Sequence, residues 1–468
     1  MRIAAVLVAL LTIAQAPSPQ LVTTRVLNGH FKAGGPRYQY LPFDVSAGAE
    51  SLTISYSYSG DEGASVIDLG LFEPGPLTLG TPAFRGYSGG AQRTITIGRN
   101  HASPGYRIGA LPAGQWHVLL GMYRVSPAGV DVEVRINETK EDSAARTATA
   151  VSAGAPASPT EVRRQWYTGA LHLHTNHSDG TLAPAAVADL ARAAGLDFIV
   201  ITDHNNTTHR REPMPSSPLH IAGEEVTTPG GHAEAWGLAD GAWLDFRVSP
   251  QEPGAADAVN SLVAAAHQAG ALFAISHPVD NCGGCSWEQV IPDEVDAIEI
   301  WQNEKAPRDA EVAFWDRQLL SGRRVTAVGV SDWHRPSSPI DVSTVRVLAD
   351  RLTQPAILDG IHQGHVVVMR DAHTEPPRVQ ARCGSADAGV GDALTCAVSD
   401  QLTVQVAMKD QGDGRADFIW NAARMTSRPI GRGTTFTMPA ANGYLRVHFY
   451  AADGSTLAIT NPIYVSTR

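Results

Sequence analysis

Residues 170–204 read ALHLHTNHSDGTLAPAAVADLARAAGLDFIVITDH. Residues 170–174 alternate apolar and polar types, the period of a strand. A turn-forming stretch, TNHSDG, follows. Residues 184–194 then read as a helix, with Val187, Leu190 and Ala191 as its apolar side, Pro184 in its first turn and Gly195 as its stop. Residues 198–202 (FIVIT) are a second strand, apolar up to Thr202. A strand, a helix and a strand in direct succession form the crossover that sets two strands parallel.

The pattern repeats outward from there. Apolar strands are expected at 221–227, 272–276, 297–301 and 325–330, with helices at 258–268 and 310–320 between them. The expectation is an α/β domain over 166–374, built on a mostly parallel sheet that is open or closed into a barrel. Residues 17–140 instead show short alternating runs such as LTISYSY (52–58) and VDVEVRI (130–136), parted by Gly, Pro and Asn turns. They read as a β-sandwich. Residues 141–165 hold the Ala/Ser/Thr/Pro-rich TATAVSAGAPASPT and read as a linker. Residues 375–468 return to short strands and read as a second β-domain.

His and carboxylate residues collect where the expected strands end. His172 and His174 are two apart on a strand, so alternation puts both imidazoles on one face, where they can meet one ion. Asp332 and His334 in SDWH repeat that spacing on the last strand. Asp179 lies just past the first strand, His204 ends the second in ITDHN, Glu225 stands in GEEVTT, His232 in GGHAEAWG and His277 in ISHP. One such residue alone is weak; so many at successive strand ends make a metal centre the expected reading. Imidazole and carboxylate ligands without thiolate suit zinc, manganese or iron. Nine ligands exceed one coordination sphere, so two or three divalent ions are expected.

Composition narrows the rest. Hydrophobic residues are 43% and charged residues 18%, which excludes a disordered chain. Net charge is −11 with no basic stripe, which excludes a nucleic-acid partner. Residues 1–16, MRIAAVLVALLTIAQA, have the charged start, apolar run and small-residue end of a secretory leader, so a periplasmic or secreted protein is expected, with no membrane span after cleavage. The four cysteines fit an oxidising compartment: Cys383 with Cys396 to staple a hairpin, and Cys282 with Cys285 in CGGC as a local disulfide.

Taken in order, HLHTNHSDGT, ITDHN, GEEVTT…GH, ISHP and SDWH resemble the PHP (polymerase and histidinol phosphatase) superfamily of metallohydrolases over residues 166–371. The resemblance implies a distorted seven-stranded βα barrel, a (β/α)7 type, with a di- or trinuclear metal site. Its ligand pattern carries over onto His172, His174, Asp179, His204, Glu225, His232, His277, Asp332 and His334, with Gly-x-Glu favouring Glu225 over Glu224. The leader, the β-domain before the barrel and a tail holding TNPIYV are similar to the branch named for bacterial carbaryl hydrolases (CehA/McbA-like).

A small-molecule ester is then the expected substrate, a phosphoric ester first and a carboxylic or carbamate ester second. A hydroxide held between the ions is the expected nucleophile, with Asp332 taking the water's proton and His277 or His232 on the leaving-group side. Asp203 is expected to orient a His, and His177 to hydrogen-bond at the rim or to lie exposed to solvent. Arg210, Arg211, Lys305 and Arg335 are the candidate cations for an anionic substrate, with Asn205 and Asn303 as hydrogen-bonding candidates. Two rival readings are a carbohydrate- or surface-binding protein using Tyr56, Tyr58, Tyr87 and Trp116, and a redox protein using Cys282 and Cys285.

Overall fold

The computed structural model describes residues 22–60, 63–140, 164–280, 284–303, 306–409, 413–431 and 433–468. The expected leader, nearly all of the expected linker, Cys282 and Lys305 lie outside them. The described part is mixed α/β and strand-rich, with twenty-seven strands and four α-helices.

Alternation builds the N-terminal region. Val130, Val132, Val134 and Ile136 point inward along the strand Val130–Thr139, and each is almost fully buried. They pack against Ile54, Ile67 and Trp116. Each such side chain contributes about 1.5–3 kcal/mol relative to exposure. The result is two four-stranded antiparallel sheets face to face, as the alternation predicts. Tyr56 and Trp116 are spent in this packing, whereas Tyr87 faces the central region; all three bury almost completely.

The central strands lie in chain order: Gln165–Ala170, Phe198–Ile201, Leu219–Thr228, Gly231–Trp236, Leu272–Ile275, Ala297–Gln302 and Thr326–Val330. The first three are parallel, and so are the last three. Regular strand–helix alternation is broken at Leu219–Thr228 and Gly231–Trp236, which pair antiparallel across Pro229 and Gly230. Two residues suffice for a hairpin but not for a crossover helix. Beyond the ends of the first and seventh strands, Leu173 and Trp333 form an isolated parallel bridge, and His174 N donates to Trp333 O at 2.8 Å. The two outer strands are thus drawn together at the end that carries the His and Asp residues.

The sheet does not stop at the central region. Val342–Ala349 adds antiparallel to Gln165–Ala170, Val366–Asp371 adds antiparallel to Val342–Ala349, and Val366–Asp371 pairs onward with Thr456–Thr460. Asn461, fully buried in the TNPIYV tail, accepts from Ala327 N at 2.7 Å and donates to Ala327 O at 2.8 Å and Val366 O at 3.0 Å. Its amide joins two strands that do not pair directly. A second C-terminal sheet holds Arg378–Cys383 and Gln401–Ala407. Cys383 and Cys396 are bonded. Cys396 ends a strand that pairs with Ile463–Thr467, so the bond ties the two sheets together instead of closing a hairpin.

One apolar cluster joins the N-terminal sandwich to the central region: Phe72, Phe84 and Tyr87 pack with Val226, Phe246 and Trp301. Phe84 meets Trp243 edge-on at 4.8 Å, and Arg247 donates to Tyr40 Oη at 2.7 Å. The sandwich is therefore fixed over one end of the central sheet.

Candidate metal centre

The side chains of the candidate centre project just beyond the strands. The strand predicted to carry His172 and His174 ends at Ala170. Past it the chain stays extended, so alternation still turns both rings the same way, but only Leu173 remains bridged. Asp332 lies two residues beyond Val330 with φ +46°, and His277 two beyond Ile275 with φ +25°. Left-handed backbone at non-glycine residues costs about 1–3 kcal/mol and clusters at functional sites. Here it swings two side chains into the mouth.

All nine candidate ligands converge there. His172 Nε2 and His174 Nε2 are 3.0 Å apart. Glu225 Oε2 lies 3.4 and 3.3 Å from them, and Asp332 Oδ1 3.3 and 3.2 Å. Atoms bound about 2.1 Å from one ion stand about 3.0–3.4 Å from each other, so these four have the spacing of a coordination shell. Glu225 extends the cluster: Oε2 is 2.9 Å from His204 Nδ1, and Oε1 is 2.8 Å from His232 Nδ1 and 3.2 Å from His277 Nε2. Asp179 Oδ1 gathers the remainder, 3.3 Å from His334 Nε2, 3.6 Å from His204 Nε2 and 3.7 Å from His174 Nδ1.

The donors fit divalent ions. Glu225 Oε2 is buried and receives no hydrogen bond, although three imidazole nitrogens lie within 3.4 Å. Close approach without donor–acceptor alignment is how ligands stand around a common ion. The electrostatics agree. Burial raises the Glu225 carboxyl, but His204, His172 and His232 outweigh it and hold it well below the usual range. Burial likewise lowers His172, while Glu234, Asp332, Glu225 and Glu299 carry it well above its ordinary value. Glu225 therefore stays ionised against positive charge, which protonated imidazoles can supply and a metal ion can supply in their place.

Several supporting residues escape a reading of motifs alone. His172 Nδ1 lies 2.9 Å from Glu299 Oε1 and 3.1 Å from Glu234 Oε1, which holds its proton behind the site and frees Nε2 for the front. Gln302 donates to Asp332 Oδ2 at 2.6 Å. His232 Nε2 is 3.1 Å from the Tyr123 hydroxyl of the N-terminal sandwich. Glu234 was detectable as the residue two after His232 on the same strand face, and Glu299 as the lone charge in an apolar run.

Other candidates fall elsewhere. Glu224 points away from the cluster; burial pushes it up to about 8, with the backbone of Leu244 offsetting part of that. Asp203 binds Thr175 N and Oγ1 and Ser178 Oγ at 2.7–2.8 Å, so it pins the 175–178 turn and reaches His174 only through Ser178. His177 is buried against Thr208 Oγ1 at 2.7 Å, with burial lowering it to about 4. Asn205 does line the cavity over the centre, with both ends of its amide bonded to Thr227 backbone. Arg210 donates to Leu238 O, and Arg211, Asn303 and Arg335 are exposed; none of these four lines the cavity over the centre. Cys285 lines that cavity and is disulfide-bonded.

No protein-family model matches the chain, and no curated protein matches it. Among solved structures, it is similar to a two-domain protein from Bacteroides vulgatus containing a predicted PHP-like metal-dependent phosphoesterase: 15% identity, covering 66% of this chain and 100% of that one, TM-score 0.35. It is similar also to a protein from Bifidobacterium adolescentis described as a metal-dependent phosphoesterase, at 18% identity, 37% and 89% coverage, TM-score 0.27. A third is an amidohydrolase from Chromobacterium violaceum with bound sulfate and no metal, at 16% identity, 37% and 89% coverage, TM-score 0.25. At scores this low, the reading of the site rests on its own side chains.

Proposed function

We propose that the protein is an exported, metal-dependent hydrolase of the PHP type that cleaves small-molecule esters, phosphoric esters foremost. The observation that carries this is Glu225, one buried carboxylate with five imidazoles within 3.4 Å and Asp332 sharing two of them. His172, His174, Glu225 and Asp332 would hold one ion; Asp179 with His204 and His334, and Glu225 with His232 and His277, would hold the others. Bound ions of this class acidify water from a pKa of about 16 towards about 7 and offset charge on ester oxygens.

The chain's own groups do the remainder. Asp332 Oδ2 is tied to Gln302, leaving Oδ1 towards the cluster to accept the proton of the attacking water. Water oxygen bonds to phosphorus as the bond to the ester oxygen breaks, and the proton that Asp332 took from the water passes to that departing oxygen, on the side where His277 and His232 stand. Tyr123 fixes the ring of His232. Glu299 and Glu234 keep His172 in the tautomer that faces the site. A carboxylic or carbamate ester is the second reading, favoured by Tyr58, Tyr87 and Tyr123 on the cavity wall, since a neutral aryl ester needs apolar contact.

Metal analysis of the purified protein, paired with aryl phosphate and aryl acetate assays in added manganese or zinc, tests the proposal. Bound metal and turnover that both vanish in His172→Ala are expected. A protein that takes up no divalent transition metal, or a His172→Ala variant with full turnover, would overturn it.

A further inference from the structure

The cavity above the candidate centre, about 550 Å3, has two walls. The central region supplies the ligands, among them Asp179, His204 and Glu225, and no arginine. The N-terminal sandwich supplies Arg93 and Arg124. We propose that these two arginines form the anion-recognition subsite of the enzyme, and that its substrate is therefore an anionic ester. The proposal rests on the metal-hydrolase reading above and narrows its substrate class.

Three observations support it. The first is the absence of acidic partners. The chain carries eleven more acidic than basic residues, and other arginines of the sandwich spend their donors on carboxylates, Arg85 on Glu73 at 2.6 Å, Arg25 on Glu138 at 3.0 Å and Arg99 on Glu50 at 3.1 Å, or, as Arg37 and Arg107 do, on backbone carbonyls. Among the described residues neither Arg93 nor Arg124 has a carboxylate partner. The second is pre-organisation. Arg93 lies over the Tyr58 ring at 4.0 Å and donates to its hydroxyl at 2.6 Å, which fixes the guanidinium plane and leaves donors free. Arg124 follows Tyr123 on the strand Gly114–Arg124, and Tyr123 touches His232 of the centre. The third is rigidity. The shared apolar cluster of Phe84, Tyr87 and Phe246 holds the sandwich against the central region, so the backbone that carries both arginines keeps its place relative to the ligands. A planar fork that is fixed in this way suits phosphate or carboxylate oxygens and offers a neutral ester little.

The test uses the full chain loaded with manganese and compares 4-nitrophenyl phosphate with 4-nitrophenyl acetate, which share a leaving group and differ in charge. In the double variant Arg93→Gln, Arg124→Gln the KM for the phosphate is expected to rise at least about tenfold, and the phosphate-to-acetate ratio of kcat/KM to fall by a similar factor, with metal content unchanged. Arg211→Gln, an exposed charge outside the cavity, controls for net charge and is expected to keep the wild-type ratio. An unchanged ratio in the double variant, or a wild type that cleaves the acetate and ignores the phosphate, overturns the subsite. A wild type that takes up no metal and cleaves neither ester overturns the hydrolase reading itself, which is a separate result.

Discussion

Asp68 of the sandwich and Glu225 of the central sheet are carboxylates lining one cavity from opposite sides, and both are buried. Their environments drive them in opposite directions. Burial pushes Asp68 up to about 6, and the Tyr87 hydroxyl, 2.7 Å away, offsets only part of that. Glu225 suffers the same desolvation, yet the imidazoles around it hold it well below the ordinary range. Depth alone therefore does not set the charge of either wall. The floor is arranged to hold cations, whereas its roof keeps a carboxyl that resists ionising and two arginines that carry the positive charge.

The comparison breaks most visibly at Glu225. Glu225→Gln removes the charge shared by five imidazoles, and metal affinity is expected to fall by more than about 100-fold, with turnover falling alongside; equilibrium dialysis and a kinetic assay read both. A smaller loss is expected one layer back. Glu299→Gln keeps a hydrogen-bond acceptor for His172 but removes its charge, and should weaken metal binding by about tenfold. Unaltered affinity in that variant would mean the floor works without its backing carboxylates.

The smallest effect is on the roof. Asp68 keeps its proton to higher pH in the folded protein than its ordinary value of 3.8 allows in the unfolded chain. Its contribution to stability is therefore complete below 3.8 and is lost as pH rises through about 6. Asp68→Asn removes that loss, and in metal-free protein it should gain about 1–2 kcal/mol over wild type between about pH 5 and about pH 7.5. Urea unfolding at the two pH values checks the sign; equal slopes for both proteins would show that Asp68 ionises normally.

Much of the floor was legible in the sequence because its ligands sit immediately after short apolar runs, and a run of that kind dictates where its strand points. Strand ends were less legible. His172 and His174 leave the ladder at Ala170 because their rings must reach past the sheet edge, a requirement that alternation does not encode. The hairpin across Pro229 and Gly230 interrupts the crossover pattern, although TPGG is itself a turn signal. Asn205, a substrate candidate by its place after the second strand, does line the cavity, and its amide is also taken up by the backbone of Thr227. Arg210, Arg211 and Arg335 stood nearest the motifs in the chain, while the cations at the cavity are Arg93 and Arg124. Nearness in sequence cannot reveal a wall donated by a different domain.

The strand Val366–Asp371 has a partner on each side, Val342–Ala349 and Thr456–Thr460, and its Val366, Val367, Val368 and Met369 are all fully buried. Cutting the chain after residue 374 to isolate the part that carries the nine candidate ligands would strip one of those partners and remove Asn461 as well. The stump would present a greasy, unpaired strand margin, which is a template for sticking to its own kind. The C-terminal segment thus acts as a selvedge: it contributes none of the nine gathered ligands, yet it keeps the fabric that carries them from unravelling into aggregates.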